Sequence, residues 1–482
     1  MTETLGKRAR TGFLWLAAAN IASKGCQMAV ILVLAAFLTE SDLGAVTVAI
    51  ALVNVAQVVQ TMGVYEVIGR TERDEKAIAG TVLTMSLGAS IVLTVVGLTR
   101  AQWIADVLGV PEASSLVAVV AISLPFTAIG GVQMALMHRT LDFRRRLFPD
   151  AGSSIVGALV TIGLAVLGTG AMSLAVGLVC MAVLQPFFSF LVGVRVWPTW
   201  NRAAAAESSH WIGIVGPGAL VAGVLLNIDS PTISRILGAD AVGLYSLAFR
   251  IAWLPFVLIA MVLAAVAFPV YSTMIRDDRR PELPVAVGRF TQAVLLLAGG
   301  MYVIVALMAD RVELLGLRWA PAAPTLRVLC VYGIGLSLLA TWYEVLIASR
   351  RLGQYLCFEI TRLVLLVAAL FFFTRYGITA AACAQLIAVW CVIPVVWVAM
   401  VRAKVAPPIR DVVRGLVGFL APALACVAFV FILRWSDVGL DPTSRVGSIV
   451  ELVVLVSCYV VVGAATNRPL VASFRQRQKC PR

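Results

Sequence analysis

The sequence predicts an all-α polytopic membrane protein of about fourteen transmembrane helices, built as two pseudo-symmetric six-helix lobes plus two extra helices. Three observations predict it. The 482 residues are 61% hydrophobic and 13% charged, where soluble domains are about 45–50% apolar and about 25% charged. The apolar residues fall into separate runs of membrane-span length, with no room between them for a soluble domain. A sequence block also recurs at an offset of 199 residues.

The runs follow one another closely. The first, 12–38, comes after Lys7, Arg8 and Arg10, and Ala17-Ala18-Ala19 imitates a signal-peptidase site. The apolar stretch before that site is about seven residues, the bottom of the usual range. "MAVILVLAAFL" follows at once, so one uncleaved helix interrupted by polar residues is expected. The next runs are 43–66, 78–99, 116–137, 151–168 and 171–194, then 212–237, 242–270, 291–309, 325–348, 355–374 and 377–401, and last 416–433 and 447–465. Pro125, Pro186, Pro255, Pro269, Pro394 and Pro422 are expected to kink spans. "WIADVLGVPE" and "ELLGLRW" are expected as short interfacial helices with aromatic anchors.

The repeat sets "LAAFLTESDLGAVTVA" (Leu34 to Ala49) beside "ISRILGADAVGLYSLA" (Ile233 to Ala248), matching Leu38 with Leu237, Gly44 with Gly243 and Ala49 with Ala248. In each copy a span ends, a short acidic turn follows and a glycine opens the next span. Residues 1–200 are therefore expected to form an N-terminal lobe of six spans, and 201–405 a second lobe. Residues 406–482 add two spans and a basic tail. Parallel repeats are a transporter architecture, with substrate held where the repeats meet.

Lysine and arginine give the orientation. With the N-terminus cytoplasmic, inside segments hold 27 of the 38 basic residues and outside loops hold 6. Both termini are then cytoplasmic, and the predominance of Arg, 33 of the 38 basic residues, points to a GC-rich bacterial genome and so to a bacterial inner membrane. The net charge of +13 is explained by topology and contact with anionic lipid, without nucleic acid. The nine cysteines are scattered without CxxC spacing, and the two histidines, His138 and His210, fall in loops. No metal and no cofactor are expected. There is no GxxxxGK[ST] loop, and no outside loop offers paired carboxylates, which disfavours a membrane glycosyltransferase or polymerase.

Five blocks, in order, resemble the polysaccharide-export, Wzx-like flippases of lipid-linked oligosaccharides, in the multidrug/oligosaccharidyl-lipid/polysaccharide superfamily. They are "FLTESDLGAVTVA", "LMHRTLDFRR", "NIDSPTISRILGADAVGLYSLAFRIAWLP", "FPVYSTM" and "LLGLRWAPAAPTLRVL". The resemblance implies two six-helix bundles around a cavity that opens alternately to each side. It implies as substrate a polyprenyl-diphosphate-linked glycan, with membrane lipids and polysaccharide-building polymerases or glycosyltransferases as partners. The chain departs from such proteins at Ala36, where they often carry Arg; Arg235 stands at the matching place in the second repeat. The alternatives are a lipid II-type flippase and a multidrug/cation antiporter of the same superfamily.

Polar residues within spans are costly and mark functional candidates. Asn20, Ser23, Lys24 and Gln27 recur at three and four, a polar stripe on one helix face. Asn54, Gln57 and Gln60 repeat the spacing on the second span. In "LLNIDSPTISRILG", Asn227, Ser230 and Ser234 share a face, Asp229 and Arg235 need partners elsewhere, and Pro231 is expected to break the helix. Arg250 lies about two turns into the eighth span. With the implied substrate, Lys24, Arg235 and Arg250 are candidates for its negative charge, and Asn20, Ser23, Gln27, Asn54, Gln57, Asn227 and Ser230 for its hydroxyls. Asp229 and Glu344 are candidates for coupling. Glu359 and Arg362, three apart, are expected to pair with each other.

Overall fold

The structure, a computed structural model, describes residues 30, 33–34, 37–61, 63–70, 75–140, 143–435 and 445–467. Among them every regular element is helical. The first part of the chain gives α1 (Glu40–Thr61), α2 (Val64–Arg70), α3 (Glu75–Thr99), α4 (Ala101–Val107), α5 (Ser114–Ala121), α6 (Ser123–Arg139), α7 (Phe143–Val166) and α8 (Met172–Leu191). Next come α9 (Arg202–Asn227), α10 (Asp229–Leu237), α11 (Ala239–Pro255), α12 (Met261–Arg276), α13 (Leu283–Val294) and α14 (Gly300–Leu307). The last are α15 (Ala322–Ala348), α16 (Leu352–Phe373), α17 (Ile378–Arg402), α18 (Ile409–Trp435) and α19 (Arg445–Thr466).

Twelve helices among the described residues are long and apolar enough to cross a membrane. The number is thirteen when Pro111–Ala121 and Ser123–Arg139, bent by 41°, count as one span. These occupy, in order, the second to fourteenth runs expected from the sequence. The first run, 12–38, lies mostly outside the described residues, so fourteen remains an expectation. Pro125 sits in the first turn of α6, just past the 41° bend, where its missing N–H costs least.

The chain divides into two compact units, residues 1–247 with 370–381, and residues 248–369 with 382–482. In the first unit, Val64, Val67 and Ile68 of α2, Ile78, Val82 and Leu83 of α3, Val132 and Ala135 of α6, and Ala204 of α9 form one buried cluster. Helices α7 and α8 approach through small residues. A Cβ on Gly157 of α7 would stand 2.9 Å from the Met181 Cβ and 3.0 Å from the Gly177 carbonyl oxygen of α8. Apolar solvent gives lipid-embedded helices no hydrophobic drive to associate, so close packing of this kind holds them. The link from α8 to α9 is sewn down. Thr199 N donates to the Gly80 carbonyl at 3.2 Å, Asn201 N to Thr81 Oγ1 at 3.1 Å, and Gln133 Nε2 to the Val194 carbonyl at 3.1 Å. The Asn201 side chain then accepts from the Ala203 and Ala204 amides and caps α9, which satisfies two orphan donors of its first turn.

In the second unit, α13 and α15 are pinned by Trp342 Nε1 donating to Thr291 Oγ1 at 3.0 Å. Two π-helical turns occur here, Phe256–Ala260 after Pro255, and Leu295–Gly299. A π turn shifts the backbone register and leaves carbonyl capacity over. Tyr459 Oη of α19 donates to the Leu296 carbonyl at 2.8 Å, inside the second π turn. A buried ion pair, Arg311 with Glu451, ties α19 to the 3₁₀ segment Ala309–Leu315.

The two short segments expected at the interface both form, as α4 and as the 3₁₀ turns Ala309–Leu315 and Leu317–Trp319. Trp103 is exposed, as an anchor should be, but Trp319 is fully buried. The second segment therefore folds Trp319 into the protein, and the anchor reading of it is corrected.

Candidate functional site

The repeat opens the site. "TESD" folds as a reciprocal N-terminal cap of α1. Asp42 N donates to Thr39 Oγ1 at 3.1 Å, and Thr39 N donates to Asp42 Oδ2 at 3.2 Å. One turn later, Gly44 lies directly on the Ala239 peptide of α11, and Gly243 lies directly on the Glu40 peptide of α1. A Cβ on Gly44 would stand 2.7 Å from the Ala239 carbonyl carbon, and a Cβ on Gly243 would stand 2.7 Å from the Glu40 carbonyl carbon. Glu40 and Ala239 are themselves equivalent at the 199-residue offset. The two copies of the repeat thus cross reciprocally, each glycine making room for the other copy's backbone.

Below this crossing the first unit carries six of the candidate residues. Asn54 of α1 donates from Nδ2 to Asn227 Oδ1 at 3.1 Å. Asn227 Nδ2 turns back to the Gly223 carbonyl at 2.8 Å. The two amides form a rung between α1 and α9. Gln57 is half-buried, with no side-chain partner among the described residues. Gln60 is buried and donates to Thr127 Oγ1 at 2.7 Å. Its Oε1 is buried without a hydrogen bond among the described residues, and Gln60 lines a cavity of about 160 Å³ with Val64, Met85, Ser86, Ser208 and Ile212.

Pro231 lies in the first turn of α10, and the helix breaks three residues earlier, at Ile228. The proline has no N–H for the Asn227 carbonyl, four residues back. The break separates Asn227 from Ser230 and Ser234, which then take different partners. Asp229 is 3% exposed; Tyr245 Oη donates to its Oδ2 at 2.9 Å and the Ser230 amide to its Oδ1 at 2.9 Å. Ser234 Oγ donates to the Leu108 carbonyl at 2.5 Å. Gly109, at φ +74°, packs against the backbone of Arg235, whose side chain is exposed. The loop after α4 therefore lies over α10.

The second unit carries Arg250, Glu344 and the Glu359–Arg362 pair. Arg250 is half-buried and makes no hydrogen bond or ion pair with the described residues. Glu344 is half-buried on α15. Arg362 Nη1 lies 3.2 Å from Glu359 Oε1, both buried, as their spacing implied. Asn20, Ser23, Lys24 and Gln27 lie outside the described residues. No group of three or more metal-ligating side chains occurs among the described residues.

Sequence reasoning missed Tyr245, Glu451 and the two π turns. Tyr245 lies sixteen residues past Asp229, on the next helix, so no spacing rule within one helix pairs them. Glu451 is an ionisable residue inside an apolar run, which is itself a signal. The π turns have no local sequence signature beyond Pro255.

A polytopic helical chain whose repeats cross through glycines, and whose spans hold polar side chains, is a membrane transporter by class. The chain belongs to the polysaccharide biosynthesis protein family, whose profile matches residues 33–324. It is 26% identical over 338 residues to the succinoglycan biosynthesis transport protein ExoT of Rhizobium meliloti, covering 69% of this chain and 67% of that one. It is 22% identical over 340 residues to the lipopolysaccharide biosynthesis protein WzxC of Escherichia coli, covering 69% and 68%. Among solved structures it resembles the lipid II flippase MurJ in an inward closed conformation, with TM-score 0.79 and 13% identity over 95% of this chain and 100% of that one. It also resembles an inward-facing multidrug-resistance MATE transporter of the MOP superfamily, with TM-score 0.65 and 15% identity over 80% and 95%. At these identities the structural matches show a shared fold.

Proposed function

We propose that this chain carries a polyprenyl-diphosphate-linked glycan precursor across a bacterial cytoplasmic membrane by alternating access. Membership of the polysaccharide biosynthesis family supports the substrate class, and the relatives named for succinoglycan transport and lipopolysaccharide biosynthesis agree with it. The observation that carries the reading is Arg250, a guanidinium inside a membrane-spanning helix with no anion beside it among the described residues. A charge at that depth is tolerated only against protein or water, and it is stabilised by an anionic ligand. A lipid-linked diphosphate brings about two negative charges that must be met along the path.

In this reading residues 1–200 and 201–405 act as two lobes, and 406–482 add two peripheral helices and the tail. Both termini face the cytoplasm. Lys24, with Asn20, Ser23 and Gln27, faces the transport path, and Asn54, Gln57, Asn227 and Ser230 offer hydroxyl-matching groups once the Asn54–Asn227 rung parts. Arg235, exposed near the outer end, meets the substrate late. Asp229 and Glu344 respond to the coupling ion. The prenyl tail stays in the bilayer. Glycosyltransferases and a polymerase deliver and consume the glycan.

Deleting the gene in its host tests the proposal. Lipid-linked glycan should accumulate on the cytoplasmic side and surface polysaccharide should disappear, with the native chain restoring it and Arg250→Gln restoring little. Normal surface polysaccharide in the deletion strain would refute the reading.

A further inference from the structure

The chain between α8 and α9 reads "RVWPTWNR" from Arg195 to Arg202, an arginine and a tryptophan mirrored about Pro198 and Thr199. All four of these side chains are exposed, Trp197 by 70% and Trp200 by 61%. Singly exposed apolar side chains are ordinary. Three observations set this group apart.

The first is how the segment is held. α8 ends at Gly193, whose φ is +90°. The Gly193 amide donates to the Phe190 carbonyl at 3.1 Å and the Val194 amide to the Ser189 carbonyl at 3.0 Å, a glycine-closed helix end. The chain then runs extended, and its side chains alternate. Val194 and Val196 are half-buried, Val196 against the buried cluster of the first unit, while Arg195 and Trp197 turn outward. Pro198 favours the extended form at Trp197 before it. Where the segment crosses α3, Gly80 leaves room for it: a Cβ there would stand 2.9 Å from the Trp197 carbonyl oxygen.

The second is depth. Besides the bonds from Thr199 N to Gly80 and from Asn201 N to Thr81, Thr84 Oγ1 donates to the Thr199 carbonyl at 2.9 Å. The membrane-crossing part of α3 runs from Ile78 to Thr99. Residues 80–84 fall in its first two turns, so the segment is tied at the edge of the hydrocarbon. Non-helical backbone is tolerated at that level only where its polar groups are satisfied, and these bonds serve that end. The same edge is where tryptophan concentrates in membrane proteins, with its ring at the headgroup level.

The third is charge. Neither the Arg195 nor the Arg202 guanidinium has a hydrogen bond or an ion pair among the described residues. Arg195 lies over the Phe190 ring, 4.7 Å from its centroid, a contact that supplies no anion. From Gln185 to Ala206 the sequence holds no acid. The Trp197 and Trp200 indole N–H groups have no acceptor among the described residues either. Guanidinium and indole N–H groups are pure donors, and a guanidinium matches a phosphate with two bonds at once. The exposed strip therefore calls for an anionic, acceptor-rich partner at headgroup depth.

We propose that Arg195, Trp197, Trp200 and Arg202 form a docking strip for the headgroups of anionic phospholipids, in the cytoplasmic leaflet by the orientation proposed above. The guanidinium groups hold the lipid phosphates. The indoles lie among the glycerol esters and donate to their carbonyls. The place of the strip at the hydrocarbon edge favours lipid over a soluble protein. The expected lobes meet in sequence at residue 200, so the bound lipid fixes the depth of the linker between them.

The test places the purified full chain in phosphatidylcholine vesicles with a rising fraction of lipid brominated on its acyl chains, either phosphatidylglycerol or phosphatidylcholine. Bromine quenches an indole that it touches. Subtracting the signal of the double variant Trp197→Phe, Trp200→Phe isolates the two indoles. All four positions are exposed, so these changes leave the packed core alone. Wild type should reach half-quenching at a phosphatidylglycerol fraction at least about fivefold below that for phosphatidylcholine, the factor that about 1 kcal/mol for one surface arginine supplies. Arg195→Gln with Arg202→Gln should bring the two lipids to the same fraction while keeping the quenching, and high salt should do so for wild type. Equal fractions in wild type, or a preference that survives the double arginine change, would overturn the strip. So would indoles that neither lipid quenches, which would place them in water or against another protein. The flippase reading stands in each case, because transport is measured separately.

Discussion

Gly44→Ala puts the glycine crossing to a quantitative test. An isolated Gly→Ala change in a helix stabilises by about 0.5–1 kcal/mol, so propensity alone makes the variant more stable. The crossing reverses the sign. The new Cβ would stand 2.7 Å from the Ala239 carbonyl carbon and closer still to its oxygen, where relaxed carbon contacts lie at about 3.5–4.0 Å. Helices α1 and α11 must part by about 1 Å, which undoes the reciprocal contact at Gly243 as well. Overpacking of this kind costs about 1–3 kcal/mol, so a net loss of about 0.5–2 kcal/mol is expected. Gly243→Ala should behave alike, because its Cβ would meet the Glu40 peptide at the same 2.7 Å. The double variant should lose clearly less than the sum, since one displacement relieves both clashes, and residues in contact couple by about 0.5–3 kcal/mol. The assay is thermal unfolding of the four proteins in one detergent, followed by intrinsic fluorescence. Unchanged or raised stability in Gly44→Ala, or strictly additive losses, would refute the reciprocal crossing.

Three further outcomes are expected. Tyr245→Phe removes the hydroxyl that donates to Asp229; a hydrogen bond to a charged group contributes about 1.5–3 kcal/mol, and Tyr245→Phe with Asp229→Asn should lose less than the two single losses combined in the same unfolding assay. Arg311→Ala strands the buried Glu451 carboxylate and should cost about 3–5 kcal/mol, with Glu451→Gln on that background restoring part of the loss; unfolding midpoints of the three proteins check this. Reporter fusions should place the chain after Arg468 in the cytoplasm and Pro321 outside, following the asymmetry of 27 inside against 6 outside basic residues.

The span pattern was legible because hydrocarbon imposes it: each of the thirteen spans among the described residues sits on an apolar run read from composition and length. The repeat was legible at Gly44 and Gly243, but that the two copies touch each other was not. Similarity reports shared ancestry of segments, and contact depends on packing between them. The polar stripes were read less well, for a physical reason. Spacing says which side chains share a face on a continuous helix, and Pro231 moves the break back to Ile228, so Asn227 joins Asn54 while Ser234 reaches Leu108. Asp229 was read as needing a partner elsewhere, and it has Tyr245 on the next helix. Trp319 shows the same limit: a tryptophan at the end of a span is an anchor only where the fold leaves it outside, and here it is buried.

The most direct measurement of the central claim is transport by the purified chain. The protein is reconstituted in proteoliposomes whose membranes carry a fluorescent polyprenyl-diphosphate oligosaccharide, and a membrane-impermeant quencher reports how much label lies on the outer face. Protein-free vesicles should protect about half of the label indefinitely. Vesicles holding the chain should expose nearly all of it within minutes, and Arg250→Gln should slow this at least about tenfold, the factor that accompanies about 1.4 kcal/mol of lost interaction. Protection that stays at half in vesicles containing folded wild-type protein, with or without an ion gradient, would contradict the account.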